Sequence, residues 1–105
     1  MNPQFKKGVL ELCVLTMIGR KDHYGYELVE EISKILEISE GTLYPILRRL
    51  TEEKYFETYL QESSEGPPRK YYRITKRGKD FQKDQFKQWM EFNQQIETLI
   101  GRDIT

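Results

Sequence analysis

Side chains alternate with a period of two from Tyr55 to Thr75, whereas the rest of the chain follows helical periodicity. The alternation is interrupted once, by the turn-forming stretch Ser63-Ser64-Glu65-Gly66-Pro67-Pro68. Neither a helix nor a central strand accepts such a stretch. The sequence therefore predicts one β-hairpin with a stiff, exposed tip, set between helices.

Two helices are predicted before residue 37. The first covers residues 3–18, is apolar on most sides and is followed by Gly19, which suits a helix end. The second covers residues 24–36, is capped by Asp22 or His23, and carries one apolar stripe: Leu28, Ile32, Ile35 and Leu36. Because a helix that is apolar on most sides must be covered on most sides, the first is expected at the centre of the domain or in an interface.

Two further helices flank the hairpin. Ser39 is the expected N-cap of the third, which reaches about Lys54 and either bends at Pro45 or begins later. Thr75 is the expected cap of the last, which reaches about Ile100 and has an apolar stripe that needs a partner: Trp89, Phe92, Ile96 and Leu99. The order predicts a mainly α (α+β) fold, a winged helix-turn-helix with three helices and a β-hairpin wing. Residues 1–75 would form the DNA-binding domain and residues 76–105 the C-terminal dimerisation helix, as one structural unit.

Composition excludes several classes of protein. A chain of 105 residues has room for one domain. Its single cysteine, Cys13, cannot form an intrachain disulfide and is expected to be buried and inert. No segment reads as a signal peptide or is long enough to span a bilayer. One histidine and one cysteine supply neither a catalytic triad nor a set of metal ligands. We therefore expect a cytoplasmic protein that is not an enzyme and has no metal, cofactor or membrane partner.

Charge is segregated along the chain although the formal net charge is zero. Eight basic and two acidic side chains lie between Gly66 and Lys87, whereas five basic and ten acidic ones lie between Lys21 and Glu62. A basic segment that follows a wing is typical of nucleic-acid binding, but a solvated helix face would have the same composition.

The outward face of the third helix is unlike an ordinary solvated face. At 100° per residue it carries Gly41, Pro45, Arg48 and Glu52, with Tyr44 on one flank and Thr42 and Arg49 on the other. The N-terminal part of such a helix meets the base edges in a major groove, and here that part supplies Thr42, Tyr44, Pro45, Arg48 and Arg49. The alternative is a solvated face on which the two arginines form i,i+4 pairs with Glu52 and Glu53.

Three segments resemble the PadR family of transcriptional regulators: His23-Tyr24-Gly25-Tyr26-Glu27-Leu28, Gly41 to Leu50, and Gly66 to Thr75. The resemblance covers nearly the whole chain. It implies a homodimeric repressor with third helices in successive major grooves and wings on flanking phosphates or in the minor groove. It also implies the short version of the family, which dimerises through a single C-terminal helix and the first helix.

The resemblance further implies a ligand site found in some multidrug-sensing relatives. In these proteins a tryptophan on the last helix pairs with the same tryptophan of the second subunit, and the two sandwich flat aromatic ligands. Trp89 is similar in position, with Phe5, Phe92 and Ile96 either lining such a cavity or filling it. Packing alone remains the alternative for all of them.

The expected function is sequence-specific DNA binding by a homodimer on a pseudo-palindromic operator, repressing transcription by blocking polymerase, with a small aromatic effector as a candidate inducer. Two rivals remain, a winged helix that binds another protein and a carrier of aromatic ligands. Thr42, Tyr44, Pro45, Arg48 and Arg49 are the expected contacts from the third helix, and the expected phosphate contacts elsewhere are Lys6, Lys7, Tyr24, Arg69 and Lys70.

Overall fold

The computed structural model describes the backbone of residues 3–101 and the side chains of residues 7–101. The elements follow one another as α1 (Pro3–Arg20), β1 (His23–Tyr24), α2 (Gly25–Ser33), α3 (Glu40–Glu52), β2 (Phe56–Ser63), β3 (Gly66–Ile74) and α4 (Lys76–Ile100). This is the predicted winged helix-turn-helix with a long C-terminal helix, which is therefore confirmed.

One hydrophobic core joins the first three helices to the base of the wing. Its fully or almost fully buried members come from α1, α2, α3 and the sheet: Leu10, Val14, Leu15, Ile18, Leu28, Val29, Ile32, Leu43, Ile46, Leu47, Leu50, Phe56, Tyr72 and Ile74. α1 contributes four of these and also contacts α4, so it lies at the centre as its composition predicted. Burying a leucine or phenylalanine side chain contributes about 1.5–3 kcal/mol, so these contacts dominate the stability of the domain.

The sheet has three strands, not the two predicted, in the order β1-β3-β2. β1 consists only of His23 and Tyr24, which pair antiparallel with Tyr72 and Tyr71 of β3. The imidazole of His23 is buried, with Nδ1 2.8 Å from the Lys21 carbonyl oxygen and Nε2 3.0 Å from Glu31 Oε2. A two-residue strand has no periodicity of its own, and its existence depends on the partner strand.

The second helix is shorter at both ends than predicted. Because His23 and Tyr24 pair with β3, α2 begins at Gly25, and neither predicted cap is used: Tyr24 is the N-cap residue and makes no side-chain cap bond. The Asp22 carboxylate instead accepts a hydrogen bond from the Tyr59 hydroxyl at 2.6 Å. The helix ends at Ser33, so Ile35 leaves the apolar stripe and is 86% exposed.

The third helix begins where predicted and ends two residues earlier. Ser39 occupies the N-cap position, but its hydroxyl makes no cap bond to the backbone and lies 3.2 Å from the Thr42 hydroxyl. The helix is continuous through Pro45, which answers the question left open by the sequence. It ends at Glu52, and Lys54 adopts a left-handed conformation (φ 67°) that turns the chain into β2.

The wing tip is tighter than predicted, because the two strands are joined by only Ser64 and Glu65. Pro67 and Pro68 belong to β3, on a part of the strand that only β2 accompanies, since β1 pairs no further than Tyr71. Proline is tolerated on such an open edge because no backbone N–H is required there.

Thr75 caps α4 as predicted, with its side chain accepting a hydrogen bond from the Gly78 N–H at 3.0 Å. The ring of Phe81 stacks on Tyr55 with centroids 4.1 Å apart, which fixes the start of α4 against the domain. Beyond this first part α4 runs away from the core, and within the described helix only Gly78 is fully buried. The shape that results is elongated, 55 × 28 × 20 Å.

Candidate nucleic-acid interface

α3 has two faces of opposite character. Its inner side chains, Leu43, Ile46, Leu47 and Leu50, are buried in the core. On the opposite side the structure places Thr42, Tyr44, Pro45 and Arg48 together, all exposed. No ion pair joins Arg48 to Glu52 or to any other described side chain, so the guanidinium is available to an external partner. A helix presented in this way fits the width of a major groove.

Arg49 pairs with Glu11, whereas the sequence offered DNA or Glu53 as its partner. Its Nε donates to Glu11 Oε1 at 3.0 Å and its Nη2 lies 2.7 Å from the same oxygen. The side chains of Arg49 and Glu11 are 39% and 18% exposed. The alternative pair with Glu53 is not formed among the described side chains. Because Glu11 and Arg49 are 38 residues apart, no local sequence pattern predicts their contact. The helical spacing indicated Glu53 as the partner of Arg49 instead.

Tyr44 connects α3 to the start of α2. Its ring packs over Gly25, where a Cβ atom would lie 2.8 Å from Tyr44 Cε1 and 3.2 Å from the hydroxyl oxygen. Burial, with a smaller contribution from the Glu40 carboxylate, raises the pKa of the Tyr44 hydroxyl. The hydroxyl therefore stays protonated at neutral pH and can donate a hydrogen bond to a phosphate oxygen.

Arg69 and Lys70 lie on opposite faces of β3, as strand alternation requires. The Arg69 guanidinium is 4.7 Å from the centroid of the Tyr24 ring, whereas the Lys70 ammonium is 5.6 Å from that of Tyr72. Both cations are exposed, and each lies over an aromatic ring that holds it near the base of the wing.

A row of tyrosines adjoins Arg69, and of these the sequence interpretation included Tyr24 and Tyr26 but neither Tyr59 nor Tyr71. Tyr24, Tyr71 and Tyr59 are direct cross-strand neighbours on β1, β3 and β2. Ring centroids are 5.6 Å apart for Tyr24 and Tyr71 and 5.5 Å apart for Tyr71 and Tyr59, and Tyr26 stacks on the other side of Tyr24 at 6.5 Å. The alternation in β2 and β3 placed Tyr59 and Tyr71 on a common face, but only strand register makes them adjacent.

Arg73, on the last part of β3, forms ion pairs within the protein. Arg73 lies over the Tyr59 ring at 4.6 Å and contacts the carboxylates of Asp22 and Glu57, each at 3.4 Å. The hydrogen bond to Asp22 raises the pKa of the Tyr59 hydroxyl, which therefore remains a donor. The charge of Arg73 is therefore compensated by carboxylates of the protein itself. Arg69 is the cation that this face of the wing presents outward.

Two of the remaining expected residues fall outside the described side chains, namely Phe5 and Lys6. Lys7 is described and exposed at the beginning of α1. Its phosphate contact stays a prediction.

Trp89, on the apolar stripe of α4, lines two cavities. One of about 500 Å³ lies between α1, the end of α2 and α4, and is lined by Trp89 with Leu12, Met17, Ile32 and Phe86 among others. A smaller one of about 320 Å³ is lined by Trp89 and Phe92 with residues of α1. Further along, Phe92 is 46% exposed and Leu99 81% exposed, while Ile96 is half-buried. The 500 Å³ cavity has a mainly apolar lining, which suits an apolar or aromatic occupant.

Cys13 lines the same 500 Å³ cavity and is half-buried, not fully buried as expected. Burial raises the pKa of its thiol, so the unreactive protonated form predominates at neutral pH. No three His, Cys, Asp or Glu side chains are grouped as metal ligands among residues 7–101. Within the described chain, no helix combines the length and the apolar character that crossing a membrane requires.

Comparison with known proteins agrees with this architecture. Residues 14–84 match the model of the transcriptional regulator PadR-like family. A chain from Lysinibacillus sphaericus, described only as an uncharacterized protein, is 39% identical over 98 residues, which is 90% of each chain.

Solved structures give the same result over nearly the whole length. A Streptococcus transcriptional regulator superposes with a TM-score of 0.86 at 37% identity, covering 95% of this chain and 100% of the other. A PadR-like transcriptional regulator from Bacillus cereus superposes with a TM-score of 0.82 at 39% identity, covering 92% and 96%. With a matching family model over most of its length and a shared winged-helix fold, this chain belongs to the PadR-like family of transcriptional regulators.

Proposed function

We propose that the chain is a sequence-specific repressor that binds a pseudo-palindromic duplex as a homodimer. The observation that carries the proposal is the outward face of α3, where Tyr44, Pro45 and Arg48 are exposed together above a fully buried inner face. Membership in a family of transcriptional regulators supports DNA as the partner and supports the expectation that the chain is not an enzyme.

In this mechanism α3 reads base edges and the wing positions the protein. Arg48 pairs with a guanine edge, Tyr44 and Thr42 donate to phosphate oxygens, and Pro45 contacts apolar base surface. Arg69, held by Tyr24, reaches the flanking phosphates. Steric exclusion of polymerase from the bound site then represses transcription.

Residues 1–75 act as the DNA-binding domain, and within residues 76–105 helix α4 mediates dimerisation. The exposed apolar side chains of α4 support this assignment, because Met90, Phe92 and Leu99 are each about half exposed or more within the single chain. Covering them with a second copy would remove apolar surface from water, which favours association by about 25 cal/mol for each Å² buried. The distance between the two α3 helices would then set the half-site spacing.

The cavity beside Trp89 supports the second part of the proposal, a small aromatic effector that relieves repression. Trp89 is the only tryptophan in the chain, so its fluorescence reports on this cavity without interference. Quenching by a flat aromatic compound, together with weaker DNA binding in its presence, is the expected result. Quenching that leaves DNA binding unchanged would contradict a regulatory role for the ligand.

The direct test of the proposed function is a selection from random duplexes, followed by fluorescence anisotropy on the selected sequence and on a scrambled duplex across a salt series. Preference for a two-fold symmetric site, with affinity falling steeply as salt rises, is expected. Weak and equal binding to all duplexes would instead favour a winged helix that binds another protein.

A further inference from the structure

One carboxylate on α1 holds one of the two neighbouring arginines of α3. Glu11 Oε1 receives both contacts from Arg49, at 3.0 Å from Nε and 2.7 Å from Nη2. The Glu11 side chain is 18% exposed, so the pair is shielded from solvent on the α1 side. Such charge-assisted contacts from a planar guanidinium fix its direction as well as its charge.

The adjacent Arg48 is in a different state. It is exposed and makes no ion pair or side-chain hydrogen bond with any residue in the described range. Two consecutive arginines on one helix therefore differ in their ion pairing. The charge of Arg49 is compensated by Glu11, whereas that of Arg48 is not compensated by any side chain in the described range.

We propose that Glu11 is a specificity-determining residue, because it withholds Arg49 from DNA and leaves base reading to Arg48. The inference rests on the proposed DNA-binding function. A released Arg49 would stand beside the major groove and reach the nearest phosphate. Phosphate contacts strengthen binding to every sequence alike, so the ratio of specific to random affinity would fall.

The test compares Glu11→Gln with Glu53→Gln, using the selected duplex and a random one across a salt series. Glutamine keeps the size of the side chain and removes its charge. Glu11→Gln should tighten binding to the random duplex several-fold and steepen the salt slope by about 0.9, the value for one additional phosphate contact. Glu53→Gln removes the same charge one helical turn from Arg49 without touching the pair, and should change random binding by less than twofold.

A double-mutant cycle isolates the role of Arg49. In the Arg49→Gln background, Glu11→Gln should alter random binding by less than twofold, because no arginine remains to be released. A gain that persists in this background, or an equal gain from Glu53→Gln, would mean that any lost acidic charge has the same effect, and would overturn the proposal.

A measurement on the unmodified chain covers the case in which Glu11→Gln does not fold. The Nε–H resonances of the arginines can be followed by NMR during titration with the selected duplex. The Arg48 signal should shift while that of Arg49 stays in place, and a shift of both would overturn the proposal. Failure of the unmodified chain to prefer any duplex would contradict the proposed function itself, an outcome distinct from binding in which Glu11 has no effect.

Discussion

The ring of Tyr44 in α3 lies against the backbone of Gly25 at the start of α2, so closely that a Cβ atom on residue 25 would be 2.8 Å from Tyr44 Cε1. Residue 25 therefore has to be small for Tyr44 to keep its place on the outward face of α3. This contact couples the two helices of the helix-turn-helix through a side chain that we place on DNA.

Gly25→Ala should reduce the free energy of DNA binding more than it reduces the free energy of unfolding. Tyr44 is 36% exposed, and its ring can swing away from the added methyl group, which limits the cost in unfolding free energy to about 1 kcal/mol. The displaced hydroxyl would lose its phosphate contact. Thermal unfolding and anisotropy measure the two effects, with Gly19→Ala as the control because its Cβ would make only an ordinary contact, 3.6 Å from Ile74 Cδ1. Equal DNA affinity for both variants would contradict the role of Tyr44.

Gly78→Ala should destabilise the whole fold. A Cβ atom there would overlap the Tyr55 carbonyl oxygen and lie 2.7 Å from Ile74 Cγ1, and a backbone oxygen cannot move aside as a flexible side chain can. Separating α4 from the base of the wing should cost about 1–3 kcal/mol or more of unfolding free energy. Chemical denaturation provides the measurement, and a variant as stable as Gly19→Ala would show that this junction adapts easily.

Arg48→Gln should reduce affinity for the selected duplex by about 1–3 kcal/mol, the worth of one bidentate contact with a base. Binding to a random duplex should fall much less, since that state lacks the base contact. Anisotropy on the two duplexes provides the comparison. Equal losses on both would mean that Arg48 contacts phosphate and does not read sequence.

Replacing Arg69 and Lys70 together by alanine should flatten the salt dependence of binding without altering the preferred sequence. Loss of two phosphate contacts lowers the magnitude of the slope of log affinity against log salt by about 1.8. Since Arg69 and Lys70 lie on opposite faces of β3, the single variants are informative as well: a slope change from Arg69→Ala alone would assign the phosphate contact to the Tyr24 face. A changed consensus after selection would contradict a purely positioning role.

Leu99→Glu should dissociate the proposed homodimer into monomers. Leu99 is 81% exposed in the single chain, and a carboxylate placed in a shared apolar seam would have to be desolvated. Sedimentation equilibrium checks the prediction, with Gln94→Glu as a control of equal charge on the same helix. If both variants sediment alike, the end of α4 is not part of the interface.

The candidate site was partly predictable from the sequence. Features that depend on residues close together in the chain were predicted, and those that depend on distant residues were not. Helical spacing placed Pro45 and Arg48 on the outward face of α3 with Thr42 and Tyr44 on its flanks, and the structure exposes all four. The same spacing offered Glu53 as the partner of Arg49, whereas the structure uses Glu11, because packing of α1 on α3 brings a carboxylate from a distant segment closer.

The sequence by itself determined the order of the four helices and the hairpin, the buried face of α3 and the Thr75 cap, since each depends on periodicity or on contacts within one turn. The tertiary structure alone decided that His23 and Tyr24 form a strand, that α2 stops at Ser33, and that the tyrosines of three strands stand in one row. These features require strand register and helix packing. Such pairings join distant parts of the chain, and their energy depends on the whole fold, so no local pattern encodes them.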